Sequence, residues 1–506
     1  DAVEGPMPQT RFVTKKALAQ GLKPIVVVNK VDRPGSRIDH VINATFDLFD
    51  KLGATEEQLD FPVVYASGLN GWATLQPGET GTDLAPLFDC ILRHVPPHSG
   101  SESEPLQLQI CSLDYSSYVG RIGIGRIHNG ELRPGQDVAV YAGIDGPMRK
   151  ARVNQVLKFE GLARVPAEKA GPGDIVLVNG IENIGIGETL TSLETPTPLP
   201  MLVIDEPTLT MNFCVNTSPL AGREGKFVTS RQIRDRLDRE LQSNVALRVT
   251  DTDEDGVFEV AGRGELHLTI LLENMRREGY ELAVSRPKVV FHEVDGERQE
   301  PMEQLTVDVE EGHQGGVMQE LGLRKGELLD MQPDGRGRVR LEYRIPARGL
   351  IGFQGEFLNL TRGTGLMSHV FDGYEAYRGE IGGRKNGVLI SQEDGEIVTY
   401  ALGKLDDRGR MFVKPGDPVY EGMIVGIHSR DNDLVVNAVR TKQLTNFRVS
   451  GKEDAIKITP PIALTLEYAV EFIDDDELVE ITPRSIRVRK RFLKEHERKR
   501  ASREAA

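Results

Sequence analysis

The stretch Lys23–Gly35, KPIVVVNKVDRPG, constrains this chain more than any other. Ile25 to Val28 is a short, wholly apolar, β-branched run, the pattern of a strand buried on both faces of a parallel sheet. Pro24 separates it from the segment before. Asn29, Lys30 and Asp32 follow at the carboxyl end of the strand, where open α/β sheets place their ligand crevices. A second such run, FPVVYASGLNGW (Phe61–Trp72), also starts at a Pro and ends in small residues. Between them, SRIDHVINATFDLFDKLG carries apolar residues at helical spacing and stops at Gly53. The predicted order is strand, helix, strand.

The polar residue types suit one ligand. A carboxylate at Asp32 can accept both hydrogens on the guanine edge, ring N1–H and exocyclic N2–H, a pair adenine lacks. Asn29 can bond the base edge and tie neighbouring loops, and the Lys30 stem can lie across the ring. Small residues at Ala66 and Ser67 let a backbone N–H approach guanine O6. The plainer alternative is a polar strand-to-helix turn, because Asn and Asp are common turn residues and four-residue matches are frequent. Together the two segments resemble the guanine-specifying half of a translational GTPase.

Phosphates require a loop of the form G-x-x-x-x-G-K-[ST]. The Gly-Lys pairs at Gly225-Lys226, Gly403-Lys404 and Gly451-Lys452 lack both the upstream Gly and the following Ser or Thr. By the resemblance, the phosphate-loop Lys, the catalytic His and the magnesium ligands are expected upstream of Asp1, so the chain is expected to start inside its GTPase domain, with no catalytic residue of its own. GTP or GDP with Mg2+ is the cofactor set implied for the intact protein, and tight nucleotide binding is not expected of these residues alone.

At 506 residues the chain is long enough for several domains. The 62 Lys and Arg against 77 Asp and Glu give −15, which argues against a generic nucleic-acid binder. Cys90, Cys111 and Cys214 have no paired or metal-like spacing, which fits a reducing cytoplasm. No apolar run approaches the roughly 18 residues of a membrane span. His94 and His98 are four apart, but Pro96 and Pro97 forbid a shared helical face, so no metal site is expected.

Downstream, Leu106 to Leu193 alternates short strands with Gly turns, the pattern of a β-barrel. GRIGIGRI there lacks a third Gly and a following helix, so it is not a dinucleotide loop. From Met201 the pattern reads βαββαβ, the split βαβ arrangement, and it repeats from Glu303. The first of these units contains GRGELHL, which resembles the third domain of elongation factor EF-G; the second resembles its fifth domain. The wording EEGHQGGVMQELGLRKGEL and IPARGLIGFQGEF resembles the BipA/TypA family of ribosome-binding translational GTPases. The resemblance extends over essentially the whole chain.

It implies a multidomain α/β and β architecture. Residues 1–98 would be the later part of a P-loop-type GTPase domain, and 104–195 an EF-Tu domain 2-like barrel. Residues 201–285 and 286–383 would be ferredoxin-like, EF-G domain III-like and domain V-like units. Residues 384–506 would be a mixed, β-rich, RNA-contacting domain particular to the family. Its partners would be the 70S ribosome, through rRNA, the A-site tRNA end and the factor-binding site, with the protein a cytoplasmic monomer acting in ribosome assembly and stress adaptation. The alternatives are a LepA-like elongation factor and a nucleotide-independent ribosome- or RNA-binding fragment. Two stretches carry the RNA expectation. One is a polar segment with Lys442, Arg448 and Lys452. The other, Arg484 to Arg503, holds ten Lys or Arg against two Glu and includes Arg487, Arg489, Lys490 and Arg491. Such charge attracts phosphate through counterion release.

Overall fold

The computed structural model describes residues 1–202, 206–294, 296–333, 335, 337–441 and 458–505. Its first part is a three-stranded sheet in which Val26–Asn29 runs parallel to Val63–Ser67, and Trp72–Thr74 pairs antiparallel with the latter. The helix Ile38–Lys51 connects the parallel strands and buries Val41, Thr45 and Phe49. The helix Ala85–His94 contacts the other two strands. Among the described residues Val26–Asn29 is the outer strand of this sheet, and Val27 is 39% exposed where the all-apolar pattern predicts burial on both faces.

Residues 107–191 form an eight-stranded antiparallel sheet wound around one apolar core that includes Leu108, Ile127, Val140, Val176 and Leu190. GRIGIGRIHN is one of its strands, as expected for a stretch without a following helix.

Two βαββαβ units follow. In the first, the strands Leu209–Cys214, Arg248–Asp251, Val257–Gly262 and Leu282–Ser285 take the spatial order fourth, first, third, second. The helices Ser230–Glu240 and Glu265–Glu278 supply Ile233, Leu237, Leu268 and Leu272 to its core. The second unit repeats the order with Glu297–Glu310, Glu327–Pro333, Arg338–Pro346 and Leu366–Ala376.

The first unit does not end at its own fourth strand. Leu282–Ser285 pairs antiparallel with Glu477–Ile481, which hairpins back to Ile486–Lys490. Met423–His428 and Val388–Ser391 continue outward, giving one sheet of eleven strands. A single apolar cluster runs from Leu209 to Val488 across this seam.

One side of the seam is ionic. Glu480, fully buried, accepts from Asn216 Nδ2 (2.9 Å), Ser218 Oγ (2.6 Å), Tyr420 Oη (2.7 Å) and Arg487 Nη1 (3.3 Å). Glu281, beside it, takes Asn216 Nδ2 at 2.8 Å and the amides of Gly222 and Gly225. Removing one member of such a network leaves the others buried and unpaired. Glu480→Ala is therefore expected to lose about 3–5 kcal/mol in urea unfolding. The loss should appear together in probes placed in residues 209–285 and in 386–490, because one sheet carries both.

Candidate guanine-binding site

The strand pair sets the site. Asn29 lies in register with Ala66, so the residues after both strands emerge side by side. Asn29 Oδ1 accepts from its neighbour's amide, Lys30 N, at 2.7 Å and from Gly68 N across the gap at 2.9 Å. Val31 N donates to Ala66 O at 3.3 Å. One Asn side chain thus ties the two loops, as its position predicts. Lys30 sits at φ +66°, a left-handed conformation rare for a residue with a Cβ and common where ligand contacts dictate the backbone. Its ammonium is held by Asp1 Oδ2 at 2.6 Å, which sets the direction of the stem.

Asp32 is exposed, and its Oδ2 accepts from Asn70 Nδ2 at 3.1 Å. The same Nδ2 donates to Ser67 Oγ at 2.9 Å. Asn70 therefore connects Ser67 to Asp32 and orients the carboxylate, a role missed in the sequence because Asn in SGLNG reads as an ordinary turn residue. Each carboxylate oxygen has two acceptor positions, so the bond from Asn70 leaves Asp32 able to take two N–H groups from a base edge. Ala66 and Ser67, expected near O6, are buried, and the solvent-facing backbone begins at Gly68, with Leu69 93% exposed. Among the described residues no group of three or more His, Cys, Asp or Glu could hold a metal ion.

The basic residues fall into three groups. Lys442, Arg448 and Lys452 lie outside the described residues. Arg487, Arg489 and Lys490, expected to face RNA, are 8%, 3% and 3% exposed. They belong to a strand whose partner is the acidic run before it, with Glu480 opposite Arg487 and Glu477 opposite Lys490. Lys490 Nζ contacts Asp433 (2.7 Å), Asp476 (2.8 Å) and Glu477 (2.9 Å). Burial disfavours the ammonium, but Glu477 and the two aspartates outweigh it and raise its pKa. Arg489 donates to the carbonyls of Lys490 and Arg491 and to Thr217 Oγ1. Arg487 and Lys490 neutralise the fold's own carboxylates, Arg489 is spent on carbonyls and a hydroxyl, and all three are buried away from phosphate. Arg491 is the exception, half exposed with Glu254 at 2.7 Å.

Residues 1–97 match the Elongation factor Tu GTP binding domain, and 106–193 match Elongation factor G domain 2. Residues 297–384 match the Elongation factor G C-terminus, and 386–495 the TypA/BipA C-terminal domain. The chain is 58% identical over 504 residues to the large ribosomal subunit assembly factor BipA of Haemophilus influenzae, covering 99% of this chain and 82% of that protein. Identity to the protein of the same name is 58% in Escherichia coli K12, over 99% of this chain and 83% of that one. In Bacillus subtilis it is 51%, over 99% of this chain and 82% of that protein. The chain belongs to the TypA/BipA family. It is a member of a GTPase family, and the Asn29–Asp32 loop lies within the part that matches the GTP-binding domain.

Because Asn29 Oδ1 is the acceptor of the Gly68 amide, Asn29→Ala is expected to speed amide exchange at Gly68 several-fold while leaving the Leu108–Leu190 core unchanged. Asn70→Ala should leave Gly68 protected, since its bonds go to Asp32 and Ser67.

Proposed function

We propose that this protein is a GTP-dependent factor acting on the large ribosomal subunit, with Asn29, Lys30 and Asp32 selecting guanine. The observation that carries the reading is the tie between the two loops. Asn29 Oδ1 holds Lys30 and Gly68 while Asn70 aims Asp32 outward, so the acceptor pair stands ready before a base arrives. Preorganised acceptors of this kind discriminate because a base lacking the matching donors leaves them unpaired. An amide near Ala66 or Ser67 would meet O6. In a chain carrying a phosphate loop upstream of Asp1, Asp32→Asn should move preference from guanine to xanthine nucleotides by at least about tenfold, measured by competition binding. Unchanged preference for GTP would reject the pocket.

The finer architecture belongs to the same reading: an EF-Tu domain 2-like barrel, two ferredoxin-like units resembling EF-G domains III and V, and a terminal domain that contacts RNA. Lys442, Arg448, Lys452 and the exposed Arg491 are the RNA-facing candidates, with rRNA and the A-site tRNA end as targets. The protein would act as a cytoplasmic monomer. A second reading is nucleotide-independent docking. It is favoured by the eleven-stranded sheet, which joins residues 209–285 to 386–490 without any contribution from the GTP-binding part. Co-sedimentation with large subunits across a salt series separates the two. GTP-enhanced binding of the chain with a phosphate loop supports the first reading, and equal binding with and without GTP supports the second. Arg491→Gln should reduce the slope of log affinity against log salt by up to about one unit.

A further inference from the structure

A cavity of about 1090 Å³ opens where the two βαββαβ units and the C-terminal part meet. Its size is at the upper end of the roughly 300–1,000 Å³ of small-molecule sites, which favour domain junctions. One wall is the helix Phe353–Leu360, another is the helix Leu466–Phe472, and Pro287 to Val289 closes the third side.

Most charges on these walls are already matched. Arg324 holds Glu356 at 2.9 Å, Arg384 holds Glu477 at 2.8 Å, Lys385 holds Glu320 at 2.6 Å and Arg286 holds Asp474 at 2.8 Å. Glu471 is different. It lines the cavity, is partly buried, and has no hydrogen-bond or ion-pair partner among the described residues. The Tyr468 and Phe472 rings on the same helix stack 5.8 Å apart, and Phe472 already carries a cation, with the Arg384 guanidinium 4.5 Å from its centre. The remaining lining includes Ile351, Leu358 and Ile381. Arg410 also lines the cavity, but it is exposed, so solvent and salt screen its charge far more than that of Glu471. A partly buried carboxyl flanked by aromatic rings and aliphatic side chains is the chemistry that recognises an ammonium on an alkyl stem.

We propose that this cavity binds a linear aliphatic polyamine, with a primary ammonium on Glu471 beside the Tyr468 ring and the methylene stem along the apolar wall. Asp475, exposed just past the helix and only loosely paired with Lys288 at 3.9 Å, is placed to share a further ammonium. A bare metal ion does not fit, because no group of three or more ligating side chains gathers among the described residues.

The site is coupled to protons. Burial, with Glu467 adding to it, holds the Glu471 carboxyl above the usual carboxylate range. Burial also pushes Glu265 up to about 8, with Glu471 and Glu303 raising it further and His369 opposing them. One Glu265 oxygen is buried without a partner. The other charges around this helix are Arg384 and Arg410, beside Tyr468, and Arg286, Lys288, Arg348, Asp474 and Asp475 on the cavity lining. An ammonium favours the ionised form of Glu471, so its binding expels a proton, and affinity must rise as pH increases while the amine stays charged.

The test is calorimetric titration of the full chain with spermidine across a pH series from about 5 to 7.5, in buffers of different ionisation enthalpy. The expected result is one strong site whose affinity falls, with proton release on binding, as pH is lowered through the Glu471 ionisation. Glu471→Gln should weaken that site at least about tenfold and remove the pH dependence. Gly355→Trp tests the cavity without replacing a charged residue, since a Cβ at Gly355 meets nothing within 4 Å and the ring can extend into the open space; it should also abolish the site. Equal spermidine binding by wild type and either variant, each folded by circular dichroism, would overturn the proposal. So would displacement by Mg2+ at matched ionic strength, which would mark general counterion attraction to an acidic protein.

Discussion

The structure depends on a seam between two strands that are almost two hundred residues apart. Leu282–Ser285 pairs with Glu477–Ile481, and buried carboxylates at 281, 477 and 480 lie along that pairing. A carboxylate at such depth is costly unless nearly every lone pair is met. Here hydroxyls, an Asn amide, backbone amides and three cations meet them. Burial pushes Glu477 towards its neutral form, but two hydrogen bonds from Arg384 and the charge of Lys490 outweigh it and keep its pKa low. The contribution of Glu477 to stability is thus present at neutral pH and fades as pH falls below the ordinary carboxylate range. The hydrophobic cluster beneath supplies the bulk of the adhesion, while the ionic layer permits one register, because a slip of one residue would bring apolar side chains opposite the charges.

The GTP-binding part is organised differently. Its site uses few side chains, each with several bonds, set on the ends of two parallel strands. A single Asn amide oxygen fixes the distance between loops, and a second Asn fixes a carboxylate. The Asn29–Asp32 loop thus belongs to a small α/β layer, whereas the downstream sheet is held by its own core.

Much of this was legible from residue pattern. The strand, helix, strand order around NKVD, the loop-tying role of Asn29 and the two βαββαβ units follow from periodicity, Pro and Gly placement and the chemistry of a few side chains. The role of Asn70 was not legible, because its value lies in reaching Asp32 across 38 positions, and no local signal marks that.

The basic stretch from Arg484 is the clearest divide. Sequence alone determined that strong positive charge follows strong negative charge near the end of an acidic chain, and also determined the family to which the chain belongs. Only the tertiary structure decided where that charge goes. Cross-strand register sets Glu480 against Arg487 and Glu477 against Lys490; the neighbouring unit then covers the first pair, and Arg384, Asp433 and Asp476 enclose the second. Local net charge cannot reveal this, because whether a side chain meets solvent or a carboxylate depends on which distant strand comes to lie beside it.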